Sequence, residues 1–554
     1  MASQSGPQKR GPKTAVPAFS NSSISGAPPS GPKPAALQAT QASTLSVSDT
    51  GANESLTSQG GDLTPDGWPR LTAIVAGAGP AGALAALLLA RQGFKVEVFE
   101  RQDWDESAND WLKKHGGWNV ALTGRAWAAL ESVGLTKEVE GRGMRIKYMT
   151  TLQGHGKESV LMARKVNFKH FSVSVPDLSA VLVRAGMERY PGQIMYNFGC
   201  ALTSADLDKA SATFTRRGHS GGENGNASGG DVTVSGDMLV GADGLSSVMR
   251  AQMEKQVPGF SVSMDCRGTG KAVSVAVPPE MMAPLSDDVI NPLHGPRFQF
   301  DPKSFTVWVR PPMRLGIMPN SRTRVGCSFT GIGMDGQDAA GVAAQIREFF
   351  PEVAELFPPD SEYCRQLATA KELRHCTVDS TQFHYKQTVL LGDAAHACFN
   401  YIGQGTNLAM EDGLVLEEIL QKEIEAAKRR ADGQQDHGAR RALLVQTVAS
   451  ALERFNKERK KETDAAAKMS EDIPKQPIKL VLAQNKFYES FGRFIPGFVT
   501  WQDALNSTLR PPSQIAAMRA RQMRNYRAIR HAPTVLAVSA AVAVLAAAAA
   551  RLSQ

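Results

Sequence analysis

Hydrophobic and polar positions follow two different patterns along the chain, and each pattern predicts a different kind of element. Residues 71–103, LTAIVAGAGPAGALAALLLARQGFKVEVFERQD, begin as a short apolar strand, turn through glycines, continue as a helix of small apolar residues and end in the strand KVEVFE. This order predicts a strand–helix–strand unit of a parallel sheet. Further on, Phe298, Phe300, Phe305 and Trp308 alternate in strand fashion, which favours the core of a second sheet for most of them over a floor beneath a ligand.

The two ends of the chain lack the pattern of a packed domain. Residues 1–68 are rich in Ser, Ala, Pro and Gly and have no acidic residue before Asp49, which predicts a disordered tail, with a transit peptide as the alternative. Residues 534–550 are uncharged and apolar and follow the basic stretch RARQMRNYRAIRH. The run approaches the roughly 17 to 25 residues of a membrane helix. It predicts an anchor over residues 532–552 with the main body on the cytosolic side, and a soluble Ala-rich helix is the alternative.

Composition places the middle of the chain among globular proteins. Its 554 residues, 42% of them hydrophobic, are enough for two or more packed units with a sizeable core. The six cysteines lack C-x-x-C spacing, which argues against a zinc site and a dense disulfide framework and favours a reducing compartment. The net charge of +8 owes much to the C-terminal basic stretch. Because no aromatic-interleaved basic surface or reading motif accompanies it, nucleic acid is not an expected partner.

The glycine turn of the first unit predicts a nucleotide site. Gly77, Gly79 and Gly82 have GxGxxG spacing, and Glu100 ends the second strand about 20 residues later. Such glycines allow a tight turn and bring the backbone close to a pyrophosphate at a helix N-terminus, while the terminal acid accepts the ribose hydroxyls. An acid at this point favours FAD or NAD over NADP.

Two later motifs decide which dinucleotide is expected. They are DMLVGADGLSSVMR at residues 237–250, with Met249 in the place of a Val, and TVLLGDAAHA at residues 388–397. In this order after GxGxxG, they resemble the motifs of the FAD-dependent aromatic hydroxylases. The resemblance implies FAD as the bound cofactor and NADPH as a transient reductant, and there is no second GxGxxG with a following acid for a nicotinamide domain.

The resemblance also implies roles for the motif residues. Asp393 would accept hydrogen bonds from the ribityl hydroxyls of the flavin, and the helix after GQG would direct its N-terminal amides at the N1 and O2 side of the ring. His396 would be a structural hydrogen-bonding residue, because further ligands for a metal pair with Asp393 are not visible in the sequence. Asp243 would serve the FAD and NADPH pyrophosphates, or else cap a helix with Arg250 in a surface ion pair. The implied cofactor-binding residues are Gly77, Gly79, Gly82, Glu100, Arg125, Leu202, Asp243, Gly244, Gly392, Asp393, Gly403, Gly405, Thr406 and Asn407.

Within that family the chain is most similar to the kynurenine 3-monooxygenases. The similarity rests on WNVALTGRAWAALESVGL, VWVRPPMRLGIMPN, GQGTNLAMEDGLVLEEIL and FIP, and it extends from about residue 70 to 550. Those enzymes hold an amino-acid carboxylate with an Arg, two Tyr and an Asn. Here Lys147, Phe498 and Asn456 fall on three of these positions, and the second Tyr has no counterpart. Asn400 replaces a Pro before GQG. The incomplete clamp implies a changed substrate or a changed way of binding it.

These features predict an α/β fold with a GxGxxG Rossmann-like FAD-binding domain, an inserted antiparallel β-sheet substrate domain, a helical C-terminal region and a C-terminal transmembrane helix. Two inserts, 218–230 and 428–441, are expected to be solvated loops. The predicted segments are the tail 1–68, FAD domain 69–150, substrate-domain and connecting segment 151–185, FAD domain 186–255, substrate sheet 256–380, FAD domain 381–425, helical region 426–531 and anchor 532–552.

The function implied is an NAD(P)H-consuming monooxygenase that uses O₂ to hydroxylate a small aromatic substrate through C4a-hydroperoxyflavin, first of all kynurenine to 3-hydroxykynurenine. No acid or base of the protein is required, because an ortho amino or hydroxyl group of the substrate can activate its own ring. The alternatives are another aromatic or isoprenoid-like substrate, and a membrane-tethered flavoprotein that does not hydroxylate. The resemblance implies the mitochondrial outer membrane, with a plastid or another organelle membrane left open. The oligomeric state is not indicated.

Overall fold

The computed structural model describes residues 63–104, 119–154, 160–216, 230–283, 298–331, 336–370, 372–472 and 515–520. All of them belong to the second of the chain's two compact units, Gly60–Gln554. The strands are β1 (Thr72–Ala76), β2 (Lys95–Glu100), β3 (Asn119–Leu122), β4 (Met144–Gln153), β5 (Val160–Ser174), β6 (Ile194–Phe198), β7 (Cys200–Asp206), β8 (Ser211–Arg216), β9 (Asp231–Ser235), β10 (Met238–Gly241), β11 (Val262–Ala276), β12 (Ser304–Arg310), β13 (Met313–Pro319), β14 (Arg324–Gly331), β15 (Leu373–Ser380), β16 (His384–Tyr385) and β17 (Thr388–Leu390). The α-helices are α1 (Pro80–Arg91), α2 (Gly124–Ser132), α3 (Thr136–Glu140), α4 (Val175–Arg189), α5 (Val248–Gln256), α6 (Ala339–Phe349), α7 (Glu362–Thr369), α8 (Asp393–His396), α9 (Gly405–Arg430) and α10 (His437–Asp472).

The first sheet is largely parallel and has the strand order β16-β17-β10-β1-β2-β6. β1 pairs in parallel with both β2 and β10, and β17 extends the parallel set beyond β10. Helix α1 is buried from Gly82 to Ala90, because its small side chains let it pack between the sheet and the helices α4 and α9. The predicted strand–helix–strand unit is therefore confirmed, and it lies at the centre of the sheet.

The second sheet has eight strands in the order β15-β11-β14-β13-β12-β4-β5-β3. Its pairs are antiparallel except for the parallel pair of β12 with β4. One face, here called the outer face, packs large apolar side chains against α6 and α7. Phe298, Phe300 and Trp308 belong to that core, as expected. Phe305 differs, because its ring lies beside Gly316 on the opposite face, here called the inner face.

Several predicted boundaries need correction. Strands β3 and β4 pair with β5 in the second sheet, so the predicted boundary at residue 150 falls inside β4 and residues 119–150 contribute to that sheet. The insert predicted as a loop over 428–441 is mostly helical, because α9 continues to Arg430 and α10 begins at His437. A third sheet, β7-β8-β9, has no counterpart in the prediction.

The predictions for the chain ends meet the structure only in part. Trp68, assigned to the disordered tail, is buried in the core of the first sheet, with the Arg440 guanidinium over its ring. The rest of that tail before residue 63, the insert 218–229 and the predicted anchor over 532–552 lie outside the described residues. Within the described ranges, no helix combines the length and the apolar character needed to cross a bilayer.

Two cysteines that are far apart in sequence are joined. Cys266 on β11 and Cys376 on β15 stand opposite each other in the antiparallel register and form a disulfide. The scattered positions gave no sign of this pair, because the strand pairing that brings the thiols together spans 110 residues. This single pair is not the dense disulfide framework that the spacing argued against, and the reducing compartment stays a prediction.

Candidate functional site

The loop between β1 and α1 is built for close backbone approach. A Cβ atom at Gly82 would lie 1.9 Å from the Gly77 carbonyl oxygen, and one at Gly77 would lie 2.4 Å from the Ala242 carbonyl oxygen. Gly77 also has a φ of +100°, which L side chains rarely adopt. A Cβ at Gly79, in contrast, would meet nothing within 4 Å. Two glycines are therefore required by packing, and the third opens a space above the loop.

That space lies at the N-terminus of α1. The helix has neither a side-chain cap nor an acidic residue in its first turn, so its first amide groups and the positive end of its dipole suit an anion. Glu100 stands beside it at the end of β2, where its carboxylate accepts from the Ala78 and Gln102 amides at 2.8 and 2.9 Å. A carboxylate oxygen can accept more than one hydrogen bond, so Glu100 can still accept hydroxyl donors.

The second motif forms a helix cap and a brace. Asp243 accepts from the Ser247 hydroxyl and the Val248 and Met249 amides at 2.5 to 3.1 Å, and thereby caps α5. The adjacent Gly244 has a φ of +78° with open space around it. Part of the alternative prediction is thus correct, since Asp243 does cap a helix.

Arg250 is not in a surface ion pair, which corrects the other half of that alternative. It is 6% exposed, and its guanidinium donates to the backbone carbonyl groups of Ala394 and Asp393 at 2.9 and 3.3 Å and to that of Leu245 at 2.5 Å. The side chain therefore ties the second motif to the third. The sequence offered no signal for this contact, because the partners are main-chain atoms more than 140 residues away.

The third motif places the Asp393 side chain at an exposed position. Gly392 has a φ of +59°, and its amide donates to Asp412 at 2.8 Å, which fixes the turn. Asp393 is exposed, whereas Ala394, Ala395 and His396, which follow it in α8, are buried. Burial raises the pKa of Asp393, and the positive charges of His396 and Arg250 oppose that rise.

The N-terminus of α9 lies beside Asp393. A Cβ added to Gly405 would lie 4.0 Å from an Asp393 carboxylate oxygen. Gly405 and Thr406 are partly exposed, and this 26-residue helix has no side-chain cap and no acid in its first turn. Gly403 precedes it with a φ of +63° and open space around it. A second set of helix amides is thus available on the Asp393 side of the site.

Two predicted cofactor residues have other partners for their side chains. The Asn407 amide accepts from the Thr123 amide and donates to the Ala121 and Gly403 carbonyl groups, so only its backbone amide remains for a ligand. Arg125 is 1% exposed and donates to Gln404 at 2.9 Å. Arg125 therefore supports α9, and its contact with a cofactor stays a prediction.

His396 forms part of a buried ionic network that sequence reasoning missed. Its Nε2 atom lies 2.7 Å from Asp412, and Arg459 of α10 donates to Asp412 and Glu411, both at 2.9 Å. Burial opposes the ionisation of Asp412, but His396 and Arg459 outweigh it and lower the pKa of this carboxyl. The adjacent acids in MEDG were a visible signal, since acids inside an apolar helix face need partners. The network fixes the turn at Gly392.

The predicted substrate residues lie against different elements. Lys147, at a bulge in β4, stands beside Asp301, and its charge helps to oppose the burial that raises the pKa of that acid. Asn456 of α10 accepts from the Phe383 amide at 2.7 Å, which gives it a structural partner. Phe498 lies outside the described residues. Leu202 on β7 is partly buried against the first core, and its contact with a cofactor stays a prediction.

The residues fit FAD as a cofactor. The open space at Gly79 above an uncapped helix suits a pyrophosphate, and Glu100 beside it suits a ribose. The exposed carboxylate of Asp393 suits the hydroxyl groups of a ribityl chain. The uncapped N-terminus of α9 suits the negative charge of a reduced flavin. Acceptors and donors thus follow the order of groups along the cofactor.

Replacing Asp393 by Asn should weaken FAD binding without destabilising the apo-protein. The loss of charge-assisted hydrogen bonds of roughly 1.5 to 3 kcal/mol corresponds to an affinity lower by about 10- to 100-fold. Because the folded-state pKa of Asp393 is raised, its ionised form costs stability as pH rises through that pKa, and Asn removes this cost. Flavin titration and urea unfolding at pH 7 measure both effects. Asp379→Asn, an exposed acid on β15, is the control and should leave FAD affinity unchanged. Equal FAD affinity of Asp393→Asn and the wild type would remove Asp393 from the cofactor site.

Comparisons with known proteins agree with this site. A family model described as an FAD binding domain matches residues 70–449. The kynurenine 3-monooxygenase of Salinispora arenicola is 31% identical over 356 residues, which cover 63% of this chain and 72% of the relative. The Drosophila melanogaster enzyme of the same name is 29% identical over 359 residues, with 63% and 70% coverage.

Solved structures show a similar fold. The 2-methyl-3-hydroxypyridine-5-carboxylic acid oxygenase aligns with a TM-score of 0.53 at 18% identity and covers 77% of this chain and 94% of that one. The tetracycline destructase Tet(51) aligns with a TM-score of 0.51 at 15% identity, covering 80% and 99%. At these identities the likeness concerns the fold alone.

Proposed function

The chain belongs to the FAD binding domain family and is an FAD-dependent monooxygenase, and on this premise we propose that it hydroxylates kynurenine or a closely related aromatic amine. One observation carries most weight. Three motifs that are far apart in sequence meet in the fold, since Gly77 lies against Ala242 and Gly392 against Ala81, and they are braced by Arg250 between the second and third motifs and by Asp412 behind the third. The relatives reported above are named for kynurenine.

Each motif has a distinct proposed task. The α1 N-terminus above Gly79 binds the pyrophosphate, Glu100 accepts the ribose hydroxyls, and Asp393 accepts those of the ribityl chain. The amides of Gly405 and Thr406 stabilise negative charge on the ring system. Contacts from Gly244, Leu202 and Gly403 are proposed on the resemblance alone.

Bound FAD, reduced by NADPH, supplies the reaction with O₂ and the transfer of one oxygen atom to the substrate ring. The chain's own residues hold the ring system in place and keep water away from it. We assign part of this second task to the inner face of the eight-stranded sheet, where the Phe305 ring lies beside Gly316. An ortho amino group on the substrate activates its ring, so no acid or base of the protein is needed at the reacting carbon.

One specific observation favours a second candidate, a different aromatic substrate or an isoprenoid-like one. The resemblance assigns Lys147 and Asn456 to the amino-acid carboxylate, but the Lys147 charge opposes the burial that raises the pKa of Asp301, and the Asn456 oxygen accepts from the Phe383 amide. If Lys147 and Asn456 keep these interactions in the complex, kynurenine has to bind its amino-acid end elsewhere, or the substrate is a compound without that end.

Substrate-stimulated NADPH oxidation tests the proposal. Purified protein with bound FAD should oxidise NADPH several-fold faster with kynurenine, and 3-hydroxykynurenine should accumulate in proportion. Stimulation by other aromatics alone would support the second candidate. NADPH oxidation that no aromatic stimulates would leave a flavoprotein that does not hydroxylate. A Lys147→Ala variant with unchanged kynurenine affinity would remove Lys147 from the substrate site.

Membrane attachment is also proposed from the sequence. The basic stretch Arg519 to His531 and the apolar run that follows support a C-terminal anchor, and the resemblance favours the mitochondrial outer membrane over a plastid membrane. Carbonate-resistant sedimentation of the full chain with membranes, lost on removal of residues 532–554, would support this.

A further inference from the structure

The two faces of β13 have opposite characters. Met313, Leu315 and Ile317 are buried in the outer core, whereas Arg314 and the residues that alternate with it on the inner face are partly exposed. Period-two alternation places an arginine on the same face as Gly316. A partly buried arginine on the inner face of a sheet needs an explanation that packing alone does not supply.

The cross-strand neighbours of Arg314 on β14 are small. In the sheet register Arg314 stands opposite Thr330 of β14, and the next inner-face pair is Gly316 opposite Ser328. Beyond it, Gly326 leaves room for the side chain of Asn119, which a Cβ at Gly326 would meet at 2.7 Å. The Phe305 ring beside Gly316 is an aromatic neighbour on the same face.

Arg314 also lies at the third motif. Its guanidinium carbon is 5.1 Å from the ring centroid of Tyr401, which belongs to the turn directly before the α9 N-terminus. Gly405 at that N-terminus faces Asp393. The arginine therefore stands beside the turn that leads into the proposed flavin-facing amides, where a substrate has to be held.

The guanidinium of Arg314 has no carboxylate as a counter-ion within the described part of the chain. Among the residues that the structure describes, no carboxylate lies within ion-pair distance of it, while its neighbour Arg267 is bound to Asp265 at 2.8 Å. His375, which burial and the charge of Arg314 keep at a lowered pKa, adds no negative charge. A partly buried guanidinium without a counter-ion gains most from an anionic ligand.

Lys147 stands in contrast to Arg314. The Lys147 charge already acts on Asp301, a protein carboxylate that also lies 3.9 Å from the Lys303 ammonium group. Lysine presents a point charge, whereas the arginine fork matches the two oxygens of a carboxylate. Of the two basic side chains, Arg314 is the better carboxylate ligand in both chemistry and partners.

We propose that Arg314 binds a carboxylate of the substrate beside the ring of Tyr401, so that the enzyme selects aromatic acids through the inner face of β13 and not through Lys147. This inference rests on the proposed function and specifies its substrate class. For kynurenine it means that the amino-acid carboxylate is held at Arg314.

The test compares an acid with its neutral amide in four forms of the holoenzyme: wild type, Arg314→Met, Arg314→Lys and Lys147→Met. The probes are kynurenine and its carboxamide, and 2-aminobenzoate and 2-aminobenzamide, with dissociation constants read from the flavin absorbance. Losing one charge-assisted carboxylate contact should weaken acid binding to Arg314→Met by about 10- to 100-fold. Amide binding should change less than threefold, and Arg314→Lys should be intermediate. FAD content and melting temperature establish that each variant is folded.

Several outcomes would overturn the inference. Equal weakening of acid and amide binding in Arg314→Met would show that Arg314 acts through its shape and not its charge. A selective loss of acid binding in Lys147→Met would assign the substrate carboxylate to Lys147. Wild-type NADPH oxidation stimulated only by neutral aromatics would refute Arg314 as a carboxylate ligand while the hydroxylase function stands. If no aromatic, acidic or neutral, stimulates wild-type oxidation, the proposed function fails, and the role of Arg314 fails with it.

Discussion

Gly79→Asp is expected to purify without FAD and to lower FAD affinity by roughly 100-fold or more, about 2.7 kcal/mol. The reason is local. A side chain at Gly79 enters the open space above the α1 N-terminus, and a carboxylate there repels a pyrophosphate and competes for the helix amides. The backbone of Gly79, with φ −65° and ψ −180°, is an extended conformation that Asp adopts readily. Asp is also a favourable N-cap residue, so the apo-protein should be as stable as wild type or slightly more stable.

The opposite signs of these two effects make the prediction sharp. Flavin fluorescence titration gives the affinity, and urea unfolding of the apo-protein gives the stability. Gly230→Asp is the matched control, because Gly230 also has open space around it but is exposed and precedes β9 of the separate three-stranded sheet. It should leave both quantities unchanged. Wild-type FAD affinity in Gly79→Asp would mean that the cofactor does not use the α1 N-terminus.

Arg459→Met should lower the free energy of unfolding by about 3 to 5 kcal/mol, the usual cost of leaving a buried charge without its partner. Arg459 is fully buried and pairs with Glu411 and Asp412, both within 2.9 Å. Burial disfavours its charged form, yet the two acids outweigh that effect and raise its pKa. Removing the guanidinium leaves two carboxylates together inside the protein, and the turn at Gly392 loses its support.

Arg454→Met provides the control on the same helix. Arg454 is about half exposed and pairs with Glu423 and Glu458, so its loss should cost less than about 1 kcal/mol. Arg459→Lys keeps the charge without the fork and should fall between the two. Urea unfolding of all three variants measures the differences. Similar stabilities of Arg459→Met and Arg454→Met would show that the buried network contributes little.

The same network has a defined pH dependence. Because the pKa of Asp412 is lowered in the folded state from its ordinary value of 3.8, the unfolded state binds its proton first as pH falls. The stabilisation from Asp412 is therefore complete above that value and is lost as pH falls through the folded-state pKa. Acid unfolding of Arg459→Met should begin at a higher pH than that of wild type, since one of the two cations that lower this pKa is gone.

Local sequence was sufficient for the parts of the fold that short-range patterns encode. The β1–α1–β2 unit with Gly77, Gly79 and Gly82 could be recognised because turn, helix and strand follow one another within 30 residues. The third sheet and the true boundary of the second were not predicted, because strand pairing such as β3 with β5 joins segments about 50 residues apart. Periodicity gives the faces of a strand but not its partner.

The site was predictable where one residue acts through its own local turn. The sequence predicted Asp393 at the end of a strand and a helix after GQG, and the structure has both. Arg459 and Arg314 were not assigned, and Arg250 was assigned only to a surface ion pair, because each is defined by partners from other elements: backbone carbonyls for Arg250, helix acids for Arg459 and the Tyr401 ring for Arg314. Asn456 stays a predicted substrate residue, but an aligned residue type could not reveal that its oxygen accepts from the Phe383 amide.

The origin of the oxygen atom in the product tests the account most directly. Holoenzyme incubated with kynurenine, NADPH and ¹⁸O₂ should yield a ring-hydroxylated product that carries one ¹⁸O atom, and incubation in H₂¹⁸O should yield unlabelled product. Mass spectrometry distinguishes the two. A hydroxylated product labelled from water, or NADPH oxidation that yields only hydrogen peroxide with kynurenine and with every other aromatic supplied, would contradict the assignment of this chain as an aromatic hydroxylase.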